Sequence, residues 1–276
     1  MNSYKRYFPI LLITTIFIVM YFQVIVKMIH EWSSNDNYSH GFLIPFIAGY
    51  IIWENREKLR DIKISPSNSG LFLFILSISF FIITNIGAEL FTMRASMILV
   101  IFSSVIFVAG WELARAVFLP VSYLIFMIPF PAIIWNKIAF PLKIFATKCA
   151  VDLIKLIGIT VFSEGNIIHL SNTILEVVDA CSGLRSLTSL IALSAAFALL
   201  SKLSTPKKII VFLSAIPIAI LLNIVRLTST AVLARHYGPD VAHGFLHDFS
   251  GIVVFIVAFI LLFSINTIFV KFEKVD

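Results

Sequence analysis

Charged residues are scarce in this chain of 276 residues, at 13% of the total against 59% hydrophobic residues. So few charges cannot give a water-soluble surface to a domain of this size, and the mean hydropathy of +1.00 agrees with that conclusion. A polytopic membrane protein is therefore predicted. The formal net charge of +6 comes from short Lys and Arg clusters between apolar runs, which is typical of membrane-protein loops, so we expect no nucleic-acid partner.

No alanine precedes Ala48, so the first apolar run lacks an Ala-x-Ala cleavage site and is expected to remain as a membrane span. The sequence also lacks internal repeats, low-complexity segments and flexible linkers, which favours a single integral-membrane domain over residues 1–276. Only two cysteines occur, Cys149 and Cys181. A disulfide between them is compatible with an oxidising exterior, but nothing in their spacing favours it.

The apolar runs predict about eight transmembrane helices, of which the second is short. These are Phe8–Met28, Gly41–Trp53, Gly70–Ile86, Ala95–Trp111, Ala116–Ile134, Leu184–Leu200, Ile209–Leu233 and Gly251–Val270. With eight spans, most basic clusters fall on one side, so both termini are predicted to be cytoplasmic and the protein to lie in the cell inner membrane. Four lysines fall on the outer side against this trend: Lys137, Lys143, Lys148 and Lys155.

The pattern changes between the fifth and sixth spans. From Leu142 to Ile157, polar residues recur every three to five positions, which predicts an amphipathic helix in the membrane interface with its lysines snorkelling. Asn166–Leu170 and Ile174–Val178 alternate with period two and are predicted to form a small external β-hairpin. The predicted fold class is therefore an all-α polytopic membrane protein with these two additions.

Cys181 is the strongest candidate for a reactive side chain. It lies in the polar segment Asp179-Ala180-Cys181-Ser182-Gly183, immediately before the sixth predicted span. The positive end of the helix dipole and Arg185, one turn further on, both favour the thiolate. The alternative is an inert, small hydrophobic residue, which is the interpretation that we favour for Cys149.

Two further candidates fall on the predicted outer side. Arg226, in Asn223-Ile224-Val225-Arg226, lies within the seventh span, where a charge is costly and commonly functional. A salt bridge to Asp179 or Asp248 that only ties helices together is the alternative. His247 precedes the last span, where a helix end favours a neutral imidazole that can accept a proton. A thiolate nucleophile, a proton carrier and a guanidinium for developing charge are the parts of covalent acyl transfer.

Other polar residues are candidates for substrate contacts. The polar turn before the second span faces outward and is expected to line the substrate entrance, although simple capping of that helix explains it equally well. The predicted substrate-binding residues are Arg185, Asn223, Asp248, Asp36, Tyr38 and His40. His243 and His247 have the spacing of a metal pair, but residue 244 is glycine where a metalloprotease has Glu, so we expect neither a metal nor another cofactor.

The chain resembles the exosortase and archaeosortase family of membrane cysteine transpeptidases, in its bacterial branch. The motifs that carry the resemblance are Trp32, Asp36-Asn37-Tyr38-Ser39-His40-Gly41-Phe42-Leu43-Ile44-Pro45, Ile128-Pro129-Phe130-Pro131, Ala180-Cys181-Ser182-Gly183-Leu184-Arg185-Ser186, Asn223-Ile224-Val225-Arg226 and His247-Asp248-Phe249-Ser250-Gly251. The family's catalytic cysteine, arginine and histidine correspond to Cys181, Arg226 and His247.

This resemblance implies a sorting enzyme that acts at the outer face of the membrane. Its partners would be exported proteins that end in a Pro-Glu-Pro-like motif, a transmembrane helix and a basic tail. Cys181 would form an acyl thioester with the substrate, and a second nucleophile, an unknown acyl acceptor, would then take the acyl group in a lipid setting. The division of proton transfer between Arg226 and His247 stays open. So does the choice between transfer of the acyl group to an acceptor and hydrolysis of the thioester by water.

Two other classes of function are compatible with the composition. A transporter, or a membrane protein that handles lipid-linked glycans or exopolysaccharides, also combines many spans with an intramembrane arginine, but it has no need of Cys181. A non-catalytic assembly protein needs none of the three candidate residues. Substitutions of Cys181, Arg226 and His247 therefore discriminate among the three classes.

Overall fold

The computed structural model describes residues 3–171, 173–177, 184–238 and 245–273, with the backbone alone at 3–7, 9, 10, 184 and 245–248. The described chain is mainly helical with one small sheet. It divides into two compact units, Met1–Pro131 and Ala132–Asp276. The single integral-membrane domain expected from the sequence stays a prediction.

The first unit is helical throughout its described residues. Its α-helices are α1 (Ser3–Ser34), α2 (Ile44–Glu54), α3 (Arg56–Arg60), α4 (Asn68–Ile86), α5 (Leu90–Ala109) and α6 (Trp111–Tyr123), and two 3-10 helices cover Asp36–Phe42 and Leu124–Met127. Pro45 at the start of α2 suits the first turn of a helix, where its missing N–H leaves no hydrogen bond unmade.

Close backbone approach joins α4 to α5. A Cβ atom at Gly70 would lie 2.3 Å from the backbone nitrogen of Phe107, so only glycine permits this contact. The α1 helix is joined to α5 by a buried hydrogen bond of 2.8 Å between the hydroxyls of Tyr21 and Ser96. A paired hydroxyl inside an apolar helix bundle avoids the cost of burying an unsatisfied polar group.

The second unit combines four helices with a three-stranded antiparallel sheet. Its elements are α7 (Ala132–Leu156), β1 (Val161–Glu164), β2 (Ile167–Leu170), β3 (Ile174–Glu176), α8 (Leu184–Leu200), α9 (Thr205–Tyr237) and α10 (Phe245–Lys271). The α8 and α9 helices form a hairpin, and α10 packs against both. Small residues make this packing close, because Ala215 and Ala219 of α9 share an apolar cluster with Ala258 of α10.

The sheet packs on α7 and α9 through one face. Val161 pairs with Leu170, and Ile168 pairs with Leu175, and all four side chains are buried in a cluster that also contains Ile224 of α9. The predicted hairpin is confirmed as the antiparallel pair β2 and β3. The segment before it, Val161–Glu164, adds a first strand that was not predicted, and its Val161 is buried in the same cluster.

The predicted count of eight spans is not confirmed. Five described helices are long and apolar enough to cross a membrane, or six if Trp111–Met127 and Ala132–Leu156 are counted as one span. Two predicted spans are shorter than any of these five helices, since α2 has 11 residues and α8 has 17, against at least 19 in the five. The predicted fifth span is interrupted at Ile128-Pro129-Phe130-Pro131, where the prolines remove backbone donors that a helix requires. The chain is thus a multi-pass membrane protein with five or six candidate spans among its described residues.

The amphipathic segment 142–157 lies almost entirely within α7, and its helix is confirmed. Lys148, Asp152 and Lys155 are exposed, whereas Thr147 and Ile154 on the other side are buried in the protein. One side of the helix therefore packs in the second unit's own core, whereas Phe145, Leu153 and Leu156 are exposed. Its placement in the membrane interface stays a prediction.

Candidate active site

Arg226 lies in the interior of the second unit. It belongs to α9, and only 7% of the residue is exposed. Its helix neighbours Ile224 and Leu227 pack in the apolar cluster between the sheet and α7. A guanidinium is always charged, and burying it costs several kcal/mol unless other groups compensate, on the order of magnitude known for buried ions. A buried arginine within an apolar helix is therefore a candidate functional residue.

The guanidinium of Arg226 lies against the backbone of α10 at Gly251. A Cβ atom at Gly251 would be 3.8 Å from Nη1 and 3.9 Å from Cζ of Arg226. His247 precedes Gly251 by four residues in the same helix, which corresponds to one turn and about 6 Å along the axis. The side chains of His247 and Asp248 lie outside the described residues. The α10 backbone nevertheless brings the turn that carries His247 next to Arg226.

The pairing of α8 with α9 shows which residues of the two helices lie side by side. The Ser194 hydroxyl donates a hydrogen bond of 3.2 Å to the carbonyl oxygen of Phe212 across the hairpin. Ten residues from Ser194 toward the start of α8 reach Leu184, and ten residues from Phe212 along α9 reach Leu222. Because both helices rise about 1.5 Å per residue, the first turn of α8 lies at the level of Leu222. Arg226 is one turn further along α9.

Cys181 and Asp179 lie outside the described residues, whereas the helix that follows them is described from Leu184. Three peptide bonds separate Cys181 from Leu184, so their Cα atoms are at most about 11 Å apart. Arg185, the second residue of α8, is exposed and lies in the turn where the helix dipole is positive.

Asn223 is buried one turn before Arg226 on α9. It is 3% exposed, and among the described residues neither its Nδ2 nor its Oδ1 has a hydrogen-bond partner. Residues three apart on a helix share one side, so the amide and the guanidinium line the same wall. Nearer the end of α9, on another side of the helix, Arg235 donates to the Ser171 hydroxyl at 2.9 Å.

The predicted entrance residues Asp36, Tyr38 and His40 belong to the first unit. Asp36 is exposed, Tyr38 is buried and His40 is half-buried in the 3-10 helix Asp36–Phe42. The Tyr38 hydroxyl donates to the Phe130 carbonyl oxygen at 3.5 Å, and the Trp32 indole N–H donates to the Met127 carbonyl oxygen at 2.9 Å. The motif around Tyr38 and the motif around Phe130 therefore meet within this unit.

Burial changes the ionisation of two of these groups. The pKa of Tyr38 is raised by burial and by the nearby carboxylate of Glu31. The pKa of His40 is lowered by burial, and a hydrogen bond to the backbone of Phe126 offsets part of that effect. His40 is therefore favoured as a neutral imidazole, and Tyr38 as a protonated phenol, at neutral pH.

A buried ion pair between Glu31 and Arg94 was missed by the sequence reasoning. Arg94 Nη2 lies 2.5 Å from Glu31 Oε2; Arg94 is 3% exposed and the Glu31 side chain 33%. Arg94 Nε has no hydrogen-bond partner in the described part of the chain. The signal was present, because Glu31 follows the first predicted span and Arg94 precedes the fourth, at two span ends that the sequence predicts on the same side of the membrane. A hydropathy analysis uses such charged residues only to mark where a span ends, and it does not predict which of them form ion pairs.

The comparison with protein families decides what kind of protein carries this site. A family model described as transmembrane exosortase matches residues 32–264. The chain belongs to the transmembrane exosortase family. Comparisons with curated proteins and with solved structures give no match.

The matched range of this exosortase-family protein contains all three predicted catalytic residues. The second unit brings Arg226, Asn223 and the α10 turn of His247 to one level of the helix bundle. Cys181 lies outside the described residues, and its part in the site stays a prediction. Asp36, Tyr38 and His40 form a separate group in the first unit.

Proposed function

We propose that this exosortase-family protein is a membrane cysteine transpeptidase or endopeptidase that processes exported proteins at their C-terminal sorting signals. The family implies a cysteine transpeptidase, and a buried charge in the second unit supports that assignment. The observation that carries the proposal is the Arg226 guanidinium held against Gly251, one helical turn from His247 and near the start of α8. A polytopic scaffold has no need of a charge buried at this position.

The chemistry assigns one role to each group. The thiolate of Cys181 attacks the carbonyl carbon of the scissile peptide bond and forms a tetrahedral oxyanion. The guanidinium of Arg226 stabilises that oxyanion, because buried donors act strongly where water is excluded. The C–N bond then breaks, the leaving amine takes a proton, and His247 carries protons in this step. The acyl thioester finally passes to the amine or hydroxyl of an acceptor, or to water.

The proposed substrate places its own scissile bond at the required depth. A C-terminal transmembrane helix, followed by a basic tail, fixes the motif at the outer boundary of the bilayer. Cleavage then becomes an encounter between two oriented partners in one membrane, which removes much of the entropy cost of a bimolecular reaction. We place this reaction on the external face of the inner membrane, with both termini of the enzyme in the cytoplasm.

The test is co-expression with an exported reporter protein that ends in a Pro-Glu-Pro-like motif, a transmembrane helix and a basic tail. The wild-type protein is expected to shorten the reporter and to form a covalent adduct that hydroxylamine releases. Cys181→Ala should abolish both results while the protein still accumulates. Mass spectrometry of the mature reporter's C-terminus identifies the acyl acceptor, since a free carboxylate means hydrolysis and an added group means transfer.

Cys149 provides a matched control, because it is the second cysteine of the chain and packs partly buried beside the sheet cluster. Cys149→Ala should process the reporter like the wild-type protein. Full processing by Cys181→Ala would refute a thioester mechanism and would favour a transporter or a glycan-handling protein. Mild effects of Cys181→Ala, Arg226→Ala and His247→Ala together would indicate an assembly role.

A further inference from the structure

The Asn223 side chain carries two unsatisfied polar atoms inside the second unit. A buried donor or acceptor without a partner costs about 1–3 kcal/mol. In the described part of the chain, both Nδ2 and Oδ1 of Asn223 lack partners although the residue is only 3% exposed. Its helix neighbour one turn earlier, Ala219, is buried among apolar side chains, so leucine at 223 would suit these surroundings better. The amide therefore has a use that packing does not explain.

The surroundings of Asn223 point to a ligand rather than to a missing structural contact. Arg226, on the same side of α9, presents its guanidinium to Gly251. The start of α8 lies at the level of Leu222, the residue beside Asn223, as the Ser194 to Phe212 hydrogen bond fixes it. The unpartnered amide thus occupies the same wall as the group that we propose to bind the oxyanion.

The chemistry of a primary amide identifies the class of ligand. An amide offers one carbonyl acceptor and N–H donors, whereas a guanidinium only donates and a carboxylate only accepts. Both unsatisfied atoms of Asn223 are therefore matched by a group that accepts and donates side by side. An extended peptide backbone presents such a pair, its C=O and its N–H, along its edge.

We propose that Asn223 binds the substrate backbone beside the scissile bond, donating from Nδ2 to a peptide carbonyl and accepting a peptide N–H at Oδ1. This inference rests on the proposed function and adds a subsite to it. It makes Asn223 a determinant of substrate conformation, because only an extended segment exposes an unpaired N–H and C=O to the amide. A substrate helix must therefore end before the residues that Asn223 contacts.

The first measurement uses Asn223→Leu in the full-length protein, with a synthetic tail peptide that contains the motif and the transmembrane helix. Leucine has nearly the shape of asparagine and leaves no polar atom unpaired, so the thermal stability should be unchanged or higher. The kcat/KM for thioester formation should fall about 10- to 100-fold, as expected for one or two lost hydrogen bonds.

The second measurement replaces single peptide N–H groups of the substrate by ester oxygens, one position at a time. In the wild-type protein, one ester position near the scissile bond should lower kcat/KM about tenfold, because Oδ1 loses its donor. In Asn223→Leu, the same ester should cost less than twofold, since the partner is already absent. This non-additivity is a property of direct contact that a structural role would not produce.

Asn266 provides the matched control. It also lies in a helix of the second unit and has a buried Oδ1 without a partner among the described atoms. It is 15 residues from Gly251 along α10, or about 22 Å. Asn266→Leu should therefore leave kcat/KM and the ester profile as in the wild-type protein.

Three results would overturn the inference. Equal ester costs in the wild-type protein and in Asn223→Leu would show that the amide does not touch the backbone. If Asn223→Leu does not fold, Asn223 has a structural role. In that case the ester series in the wild-type protein still tests the subsite, and the absence of any sensitive ester position would show that no such subsite exists. If the wild-type protein forms no thioester even with the unmodified peptide, the proposed function itself fails.

Discussion

Gly251 offers the sharpest test of the geometry around Arg226. A Cβ at this position would lie 3.8 Å from Nη1 of Arg226, which is ordinary van der Waals contact. Gly251→Ala should therefore fit without moving the guanidinium. A longer side chain adds a carbon about 1.5 Å beyond Cβ and can approach the guanidinium to about 2.3 Å, well inside the contact distance of about 3.5 Å.

Gly251→Leu should displace the guanidinium and interrupt catalysis. Helical leucine rotamers point toward the preceding turn, so this side chain would fill the space between Arg226 and the turn of His247. A displacement of about 1 Å at a reacting centre can cost about 100-fold in rate. We therefore expect Gly251→Leu to process the reporter at least about 100-fold more slowly, and Gly251→Ala to stay within about threefold of the wild-type rate.

The assay is the rate of reporter cleavage with purified variants in lipid nanodiscs, together with their thermal stability. Arg226→Ala in the Gly251→Leu background should then cost little more, because the two changes act on one interaction. Equal rates for Gly251→Leu and Gly251→Ala would refute the reasoning. Fully additive losses for the double variant would also show that Gly251 acts elsewhere.

Three further predictions concern the first unit. Glu31→Gln leaves the buried Arg94 guanidinium without its carboxylate and should lower the free energy of unfolding by about 3 kcal/mol, at the low end for buried pairs because the carboxylate is a third exposed. Adding Arg94→Met should restore most of that free energy. Chemical unfolding in micelles measures both changes, and no recovery in the double variant would contradict a stabilising Glu31–Arg94 ion pair. Burial lowers the pKa of His40, so the unfolded state binds the proton more tightly and stability should fall as the pH drops below about 6.5. The thermal unfolding temperature of His40→Gln should fall less over the same pH range. The same pH dependence in His40→Gln and in the wild-type protein would contradict this role of His40. Gly41→Ala should cost about 1–3 kcal/mol, since its Cβ would lie 2.4 Å from a buried indole ring, whereas Gly49→Ala, with no atom within 4 Å, should be nearly neutral in the same unfolding assay.

Hydropathy predicted the class and most helices, but its count of eight spans is not confirmed. Long apolar runs such as α4 and α5 were found where expected, because each is long enough to cross hydrocarbon by itself. The α2 and α8 helices are equally apolar yet only 11 and 17 residues long, so composition could not separate them from full spans. The interruption at Pro129 and Pro131 was readable from the sequence as a loss of two backbone donors.

The candidate site comes mostly from the sequence. Short polar motifs stand out against an apolar background, so Cys181, Arg226 and His247 were nominated without any structure, and their catalytic roles stay predictions. The ion pair of Glu31 with Arg94 was not predicted, because each residue looked like an ordinary charge at the end of a span. Pairing between residues 63 apart in the chain depends on how helices pack, which hydropathy does not record.

The sequence by itself determined that this is a multi-pass membrane protein of the exosortase family, and it nominated three candidate catalytic side chains. These properties depend on composition and on local motifs, which can be identified without knowing how the helices pack. Only the tertiary structure decided that Arg226 faces Gly251, that Asn223 on the same side of α9 has no hydrogen-bond partner among the described atoms, and that a third strand joins the sheet. The physical reason is that membrane helices are apolar on all sides, so their rotation and register come from close contacts of small residues and a few hydrogen bonds.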